Sequence, residues 1–433
     1  MKSKILTGHI FASFFIILLL GIFFVSNSSV EAARSNFSLP PVGTIVVYRV
    51  AGLPPYNNGT QIRFVEVTGR GLINSPKVLA QSQFLGLTLS EMSASRREKS
   101  VDVVYEIENV TPLNFNYPTI ALKHRSYDEP MNTFVEQDLP LPQGYLLRDI
   151  WTATDQNNNL YVIATGRPSV GQPTEIKLYS INSANSLVSS STLRVFNPTE
   201  SISTLKGAID PWTGNIHVIA NVYTTTTTSA VCDRKIFVFD SVTFSQIQEI
   251  SFPLCDSFVP ELKIGPQREG FVVLLGGNGN LEASYLTPAN GQWSQNVLLS
   301  LPQAMIGGPT GVYLFPGNAS SSNSIALATT EYSTTTFRVE SKLRLSHDTG
   351  RTFLSFPVSL FATFSSAGSS YGEFHLARFK ERSSDIPFVL GKSSNELKIF
   401  FDPTFAGPVT QYIVDQTPIA STQYFGDISV VEY

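Results

Sequence analysis

Charged residues are scarce in this sequence of 433 residues, because only 15% of the chain is Asp, Glu, Lys or Arg. The formal net charge is −4. Nucleic acids and anionic membrane surfaces attract proteins through concentrated positive charge, and no such concentration is present here. The composition therefore gives no electrostatic basis for either kind of partner.

Long apolar runs are missing after the first 25 residues. Lys2 and Lys4 precede an almost wholly apolar stretch at residues 10–25, and small residues lie at the −3 and −1 positions of a site after Ala32. This order is typical of a signal peptide, so we predict a signal peptide at 1–32 and a mature domain at 33–433. The alternative is an uncleaved membrane anchor. We expect a secreted, extracellular protein whose mature chain has no membrane span.

Cysteine and histidine are also rare. The two cysteines, Cys232 and Cys255, have 22 residues between them. In an oxidising compartment this predicts one disulfide, which would contribute about 3 kcal/mol. The five histidines have no metal-ligand spacing, and we predict no metal and no other cofactor. These histidines are His9, His124, His217, His347 and His375.

Four N-x-S/T sequons in the mature chain agree with a secretory route. They begin at Asn36, Asn58, Asn109 and Asn318. Since such sequons also occur by chance in chains rich in Ser and Thr, they predict a glycoprotein only in combination with the signal peptide.

Helical periodicity is nearly absent after residue 33, and short alternating apolar runs recur instead. Examples are 44–50, 62–67 and 101–107. The segment 88–99 is polar and ends in charged residues, so we predict a short helix or an exposed loop there. The remainder predicts an all-β fold.

A repeat becomes visible from residue 145. The run 149–155 leads through a turn into 160–164, and 208–220 has the same shape, with Asp155 and Asp210 separated by 55 residues (210 − 155). Four short strands in a unit of about 50 residues are typical of a β-propeller blade. We predict a single propeller of six or seven four-stranded blades. An irregular pair of β-sandwiches is the alternative.

The two ends of the chain predict how the propeller closes. Residues 425–433 read as an innermost strand without partners, whereas the strands after Val42 have partners but no inner strand. Pairing these two ends would complete one blade and remove an exposed sheet edge.

One segment matches a known motif. Ser346, Asp348, Gly350, Thr352 and Phe353 have the spacing S-x-D-x-G-x-T-F. The short Asp carboxylate and the Gly are typical of a hairpin turn. The segment resembles the Asp box of sialidases and other BNR-repeat β-propellers. In that family the box marks the outer hairpin of a blade, so the resemblance implies the fold and not catalysis.

Sialidase chemistry has little support in the sequence. Members of that family bind the substrate carboxylate with three arginines, the first in an F/Y-R-I-P motif. Arg63 lies near the N-terminus, as the first of these arginines does, but the aromatic residue and the Pro of the motif are missing around it. We therefore predict that Arg63 is an exposed strand residue. The other arginines considered are Arg338, Arg344 and Arg378. We therefore assign no catalytic residue.

Polar residues collect at matching places on the predicted inner strands, which surround the channel of a propeller. We predict that these residues face the channel and bind a ligand: Arg148, Asp149, Asp210, Glu261, Lys263, Glu373, His375 and Asp427. The alternative is that these charges satisfy one another.

The sequence favours a monomeric binding protein that recognises a glycan or an extracellular protein through one propeller face. A divergent sialidase-like glycoside hydrolase and a structural extracellular glycoprotein are the two alternatives.

Overall fold

Strands make up the regular secondary structure in the part of the chain that the computed structural model describes. That part is 44–431 without 53–59, 69–71, 74, 83–86, 110–117, 227–229, 254–261, 266–269, 276–280, 288–289, 295–296, 299–304, 316–323, 334–337, 347–357, 365–372, 382–383, 393–395, 402–409 and 417–422. These residues belong to the compact unit Gly43–Tyr433.

The first half of the described chain supplies the strands of three sheets and most of a fourth. Sheet 1 contains β1 (Thr44–Gly52), β2 (Gln61–Thr68), β3 (Leu72–Ile73) and β4 (Lys77–Gln81). Sheet 2 contains β5 (Leu87–Arg97), β6 (Ser100–Asn109), β7 (Thr119–Asp128) and β8 (Thr133–Leu139). Sheet 3 contains β9 (Leu146–Thr154), β10 (Leu160–Arg167), β11 (Glu175–Ile181) and β12 (Leu187–Val195). Sheet 4 contains β13 (Glu200–Ile209), β14 (Ile216–Thr225), β15 (Ala230–Phe239) and β16 (Gln246–Pro253).

The second half continues the same pattern. Sheet 5 contains β17 (Lys263–Ile264), β18 (Gly270–Leu275), β19 (Leu281–Thr287), β20 (Gln292–Trp293) and β21 (Val297–Leu298). Sheet 6 contains β22 (Met305–Phe315), β23 (Ser324–Ser333), β24 (Arg338–Ser346) and β25 (Val358–Phe364). Sheet 7 contains β26 (Glu373–Glu381), β27 (Ser384–Lys392), β28 (Glu396–Phe401) and β29 (Thr410–Gln416). The last strand, β30 (Gln423–Val431), pairs with β1 and belongs to sheet 1.

Each sheet pairs its strands antiparallel, and most strands pair in chain order. The exceptions are β4, which pairs with β2, β21, which pairs with β19, and β30, which joins sheet 1 from the other end of the chain. The pairing of β1 with β30 matches Ile45 with Val431 and Tyr48 with Ile428. The predictions of an all-β chain and of paired N- and C-terminal strands are therefore confirmed. The prediction of a helix or loop at 88–99 is wrong, because these residues form most of β5.

The polar character of β5 follows from its position. One edge strand of every sheet contacts the corresponding strand of the next sheet, in the order β30, β5, β9, β13, β17, β22 and β26, and β26 contacts β30. We call these seven strands the inner strands. An inner strand has an unpaired edge, so it can carry Ser, Glu and Arg where a central strand needs apolar side chains.

The apolar core lies between neighbouring sheets. Val104 of sheet 2 packs with Leu160 of sheet 3 in one cluster, and Val46 of sheet 1 packs with Leu390 and Ile399 of sheet 7 in another. Strands in the middle of a sheet are buried on both faces, as the continuous burial along the first part of β14 shows. Fully burying each such side chain contributes about 1.5–3 kcal/mol.

A buried polar network connects sheet 2 to sheet 3. Arg97 Nε donates to Asp102 Oδ2 at 2.7 Å, and Arg97 Nη1 donates to the Asn182 carbonyl at 2.8 Å. His124 Nε2 lies 2.8 Å from Asp102 Oδ1, and Gln137 Nε2 lies 3.0 Å from His124 Nδ1. Because the amide nitrogen of Gln137 can only donate, Nδ1 of His124 accepts and the Nε2–H of His124 donates to Asp102.

Candidate ligand-binding site

Four neighbouring inner strands have register shifts near their N-terminal ends: β30, β5, β9 and β13. A register shift in β5 leaves Ser90 and Glu91 outside the regular pairs, and a shift in β9 does the same for Arg148. A third shift, in β30, affects Gly426 and Asp427. Because a bulge redirects the side chains next to it, these irregularities place polar groups at one end of the inner strands.

Three carboxylates lie together at these bulges. They are Asp427 on β30, Glu91 on β5 and Asp149 on β9, and we call them the carboxylate arc. Burial raises the pKa of Glu91 well above its ordinary value, and the nearby charges of Asp427 and Asp149 raise it further. Glu91 therefore lies within electrostatic reach of both partners, as expected for the middle one of three neighbouring strands.

Asp149 is held by the backbone on both sides. Its Oδ1 accepts the N–H of Ile150 at 2.8 Å, and its Oδ2 accepts the N–H of Leu205, on the next inner strand, at 2.7 Å. Burial raises the pKa of Asp149 to about 6, against the opposing effect of the Lys206 charge. This carboxyl group therefore changes charge near neutral pH.

Asp427 is paired with a cation. Its Oδ2 lies 3.2 Å from Arg49 Nε, and Arg49 Nη1 donates to the Leu89 carbonyl at 3.0 Å. Lys392 Nζ donates to the Gly426 carbonyl at 2.9 Å. The arc thus has positive charge beside it as well as negative charge within it.

Two further carboxyl groups lie on β6, the strand that pairs with β5. Glu106 is buried and accepts hydrogen bonds from the hydroxyls of Ser90 and Thr119. Burial raises the pKa of Glu108 to about 7, with a further contribution from Glu106, while Arg49 opposes it. Asp149 and Glu108 therefore both change charge near neutral pH.

A cavity of about 350 Å³ lies among the later residues of β5, β9, β13 and β30 and the segment 262–264. Hydroxyls join the inner strands along it. Ser93 Oγ accepts the N–H of Thr152 at 3.0 Å, and Ser429 Oγ accepts the N–H of Ala94 at 3.1 Å. Since an inner strand has no partner on one edge, these hydroxyls satisfy N–H groups that would otherwise lack one.

The structure brings together only some of the predicted site residues. Asp149 and Asp427 belong to the arc, Arg148 is exposed on the β9 bulge, and Lys263 lines the cavity. Glu261 lies outside the described residues. Glu373 and His375 lie on β26, but their side chains are outside the described part.

Asp210 is not brought to the arc. It is fully buried at the end of β13, where its Oδ1 accepts the N–H of Trp212 at 2.9 Å in the turn to β14. Asp155 lies at the matching place in the repeat, and its Oδ1 accepts the N–H of Asn159 at 2.8 Å. The 55-residue repeat that made Asp210 a candidate therefore reflects the chemistry of a turn.

The sequence pattern did not predict three of the charged residues at or beside the arc, which are Glu91, Arg49 and Lys206. Glu91 lies in the segment that predicted a helix or loop, and Arg49 lies in a strand with no visible inner partner. Their contribution depends on register shifts, which leave no periodic signal.

Arg63 lies away from the arc. Its Nη1 is 2.9 Å from Oδ2 of Asp415 on β29, the strand of sheet 7 at the opposite edge from inner strand β26. The sequence predicted that Arg63 is an exposed strand residue. In the structure its side chain is only 26% exposed, because it forms a partly buried ion pair with Asp415. The other considered arginines lie on β24 and β26: Arg338, Arg344 and Arg378.

Several other predictions fall largely outside the described residues. Ser346 is the buried last residue of β24, and the rest of the Asp-box segment follows outside the described part, as do the sequons at 36, 58 and 318. Asn109 is the exposed last residue of β6. Cys232 lies on β15, but Cys255 is outside the description, so the disulfide stays a prediction.

Neither a metal-binding cluster nor a membrane-spanning helix is present among the described residues. No group of three or more His, Cys, Asp or Glu side chains is arranged to hold a metal ion. No helix among the described residues has the length and apolar character to cross a membrane.

His217 is buried and accepts a hydrogen bond from Trp293 Nε1 at 2.9 Å, which makes it a core residue.

The matches to known proteins are solved structures of low sequence identity. No family model and no curated protein sequence matches the chain. Among solved structures, the chain is similar to a periplasmic gluconolactonase of Pseudomonas aeruginosa, with 14% identity, TM-score 0.47 and coverage of 88% of this chain and 99% of the other. The Dos1 propeller has 11% identity, TM-score 0.42 and coverage of 87% and 85%. The Hadza microbial sialidase Hz136 has 10% identity, TM-score 0.40 and coverage of 82% and 73%.

Proposed function

We propose that this chain is a secreted β-propeller of seven blades that binds a glycan at the carboxylate arc. Seven antiparallel sheets with inner strands in sequential contact support a propeller, and the β1–β30 pairing supports its closure. The predicted signal peptide at 1–32 supports secretion.

The observation that carries the binding function is the arc itself. Asp427, Glu91 and Asp149 present carboxyl groups from three neighbouring strands, with Arg49 and Lys206 next to them. Carboxylates accept hydrogen bonds from sugar hydroxyls, and cations donate to sugar oxygens. A polyhydroxylated ligand satisfies both kinds of group, and the excess of acidic groups favours neutral sugars over anionic ones at the arc.

The test is a glycan array followed by calorimetry on the best ligand. We expect Glu91→Gln and Asp427→Asn to weaken binding about tenfold, the effect of losing one charged hydrogen-bond partner. Asp138→Asn is the matched control, because this carboxylate is 72% exposed on β8. Equal affinity in all four proteins, or no glycan bound by the wild type, would argue instead for a protein ligand or a structural glycoprotein.

A glycoside hydrolase is the second candidate, favoured by the raised pKa values of Asp149 and Glu91. A carboxyl group that is protonated near neutral pH can act as a general acid beside an ionised partner. Release of a fluorophore from neutral glycosides, abolished by Asp149→Ala, is the expected result for this candidate. The pairing of Arg63 with Asp415 gives no support to cleavage of a sialoside, which serves as the negative substrate.

A further inference from the structure

The cavity among the inner strands is large enough for a small ligand. Its volume is about 350 Å³, and a liquid water molecule occupies about 30 Å³. A tetrahedral or planar oxyanion fits in this space together with several waters. The cavity lining is separate from the three carboxylates of the arc.

The charged side chains along this lining are all basic. They are Arg96, Lys206 and Lys263, and no Asp or Glu of the described chain belongs to the lining. Arg96 Nη2 is already 3.1 Å from Glu129 Oε2. Lys206 has no hydrogen-bond or ion-pair partner among the described residues. Its charge acts on the carboxyl group of Asp149, whose two oxygens each accept a backbone N–H group.

Hydroxyl donors complete the lining. Ser429 Oγ accepts the N–H of Ala94, so its own O–H is left to donate. The hydroxyls of Ser95 and Thr154 lie 2.7 Å apart, so one of these two protons is also left over. A lysine that forms no ion pair among the described residues and lies next to hydroxyl donors is a favourable environment for an anion, which would offset the cost of desolvating the lysine.

We propose that this cavity binds a small oxyanion, with Lys206 as its principal contact and Lys263 and Ser429 in support. The shared chemistry is a carboxylate, phosphate or sulfate group, either free or carried on a larger molecule. This inference goes beyond glycan binding at the arc, with which the proposed anion site shares only Lys206.

The experiment measures binding of inorganic phosphate and sulfate by calorimetry and by thermal unfolding, with sodium chloride at equal ionic strength as reference. The wild type is expected to show saturable binding and a matching rise in melting temperature. Lys206→Met, which keeps the length of the side chain and removes its charge, should weaken binding at least tenfold, about 1.4 kcal/mol. Lys206→Arg should restore most of it.

Two controls separate this site from other effects. Lys123→Met changes a lysine that is paired with Glu136 and Asp138 away from the cavity, and Glu91→Gln changes the arc, so both should keep wild-type anion binding. A second arm compares sulfated and unsulfated forms of one oligosaccharide to distinguish a free anion from an anionic substituent. An equal response of every variant to salt, or no saturable signal in the wild type, would overturn the proposal.

Discussion

At the scale of single residues, the notable feature is how different the environments of similar carboxyl groups are. Asp102 is buried among Arg97 and His124, and although burial opposes ionisation, their hydrogen bonds and charges hold its pKa below the ordinary value. Glu91 is buried beside other carboxylates, so its pKa is raised. The same chemical group thus has a structural role in one place and a proton-binding role in the other.

The raised pKa of Glu91 predicts a pH dependence of stability. The unfolded chain ionises near 4.5 while the native carboxyl group keeps its proton to higher pH, so the free energy of unfolding falls as pH rises through this window. Glu91→Gln should remove this part of the fall, about 1.4 kcal/mol for each unit by which the pKa is raised. Urea unfolding at pH 5 and pH 8 measures it.

The control for this measurement is Asp138→Asn, whose carboxylate is mostly exposed. It should reproduce the wild-type difference between pH 5 and pH 8. If Glu91→Gln also reproduces that difference, Glu91 does not bind its proton more tightly in the native state.

At the scale of elements, neighbouring sheets are joined by apolar layers and by a few buried polar links. The network of Asp102, Arg97 and His124 connects β5, β6 and β7, and Arg97 extends it to the Asn182 carbonyl in the turn after β11. A buried charge is tolerated only with its partners in place, so each member of this network depends on the others.

Asp102→Ala should therefore be strongly destabilising. The change leaves the buried Arg97 guanidinium without its carboxylate, and we expect a loss of about 3–5 kcal/mol in the free energy of unfolding. Denaturant unfolding at neutral pH gives this value. Asp138→Ala, an exposed carboxylate change, should stay within about 0.5 kcal/mol of the wild type. A similar small loss for Asp102→Ala would show that the network contributes little.

At the scale of the whole molecule, the two ends of the described chain meet in one sheet. β30 supplies the inner strand of sheet 1, and its Phe425 and Ile428 join the cluster that also contains residues of sheet 7. Without β30, β1 would have an unpaired edge, and the apolar layer between sheets 1 and 7 would lose part of its packing.

Truncation tests this dependence. A chain that ends at residue 422 lacks β30 and should not accumulate as a folded monomer, because an exposed edge and an opened apolar layer favour aggregation. A chain that ends at Val431 keeps the strand and should unfold at the wild-type temperature. Size-exclusion chromatography and thermal unfolding compare the two, and a stable monomer ending at 422 would contradict the role given to β30.

The sequence by itself determined the all-β class, the succession of short strands and the pairing of the chain ends. Alternation of apolar residues, turn residues such as Asp155 and Asp210, and the unpartnered final run are local signals, and local signals suffice for these features. They failed at β5, because an inner strand with a free edge does not need a regular apolar face.

The tertiary structure alone decided which side chains meet. Asp149 and Asp427 are 278 residues apart (427 − 149) and reach Glu91 only because β9, β5 and β30 are neighbours with bulges at the same end. Asp210 occupies a repeat position yet closes a turn instead. Strand register and the contacts between sheets depend on packing across the whole chain, and that packing placed the carboxylate arc beside the cavity lined by Lys206.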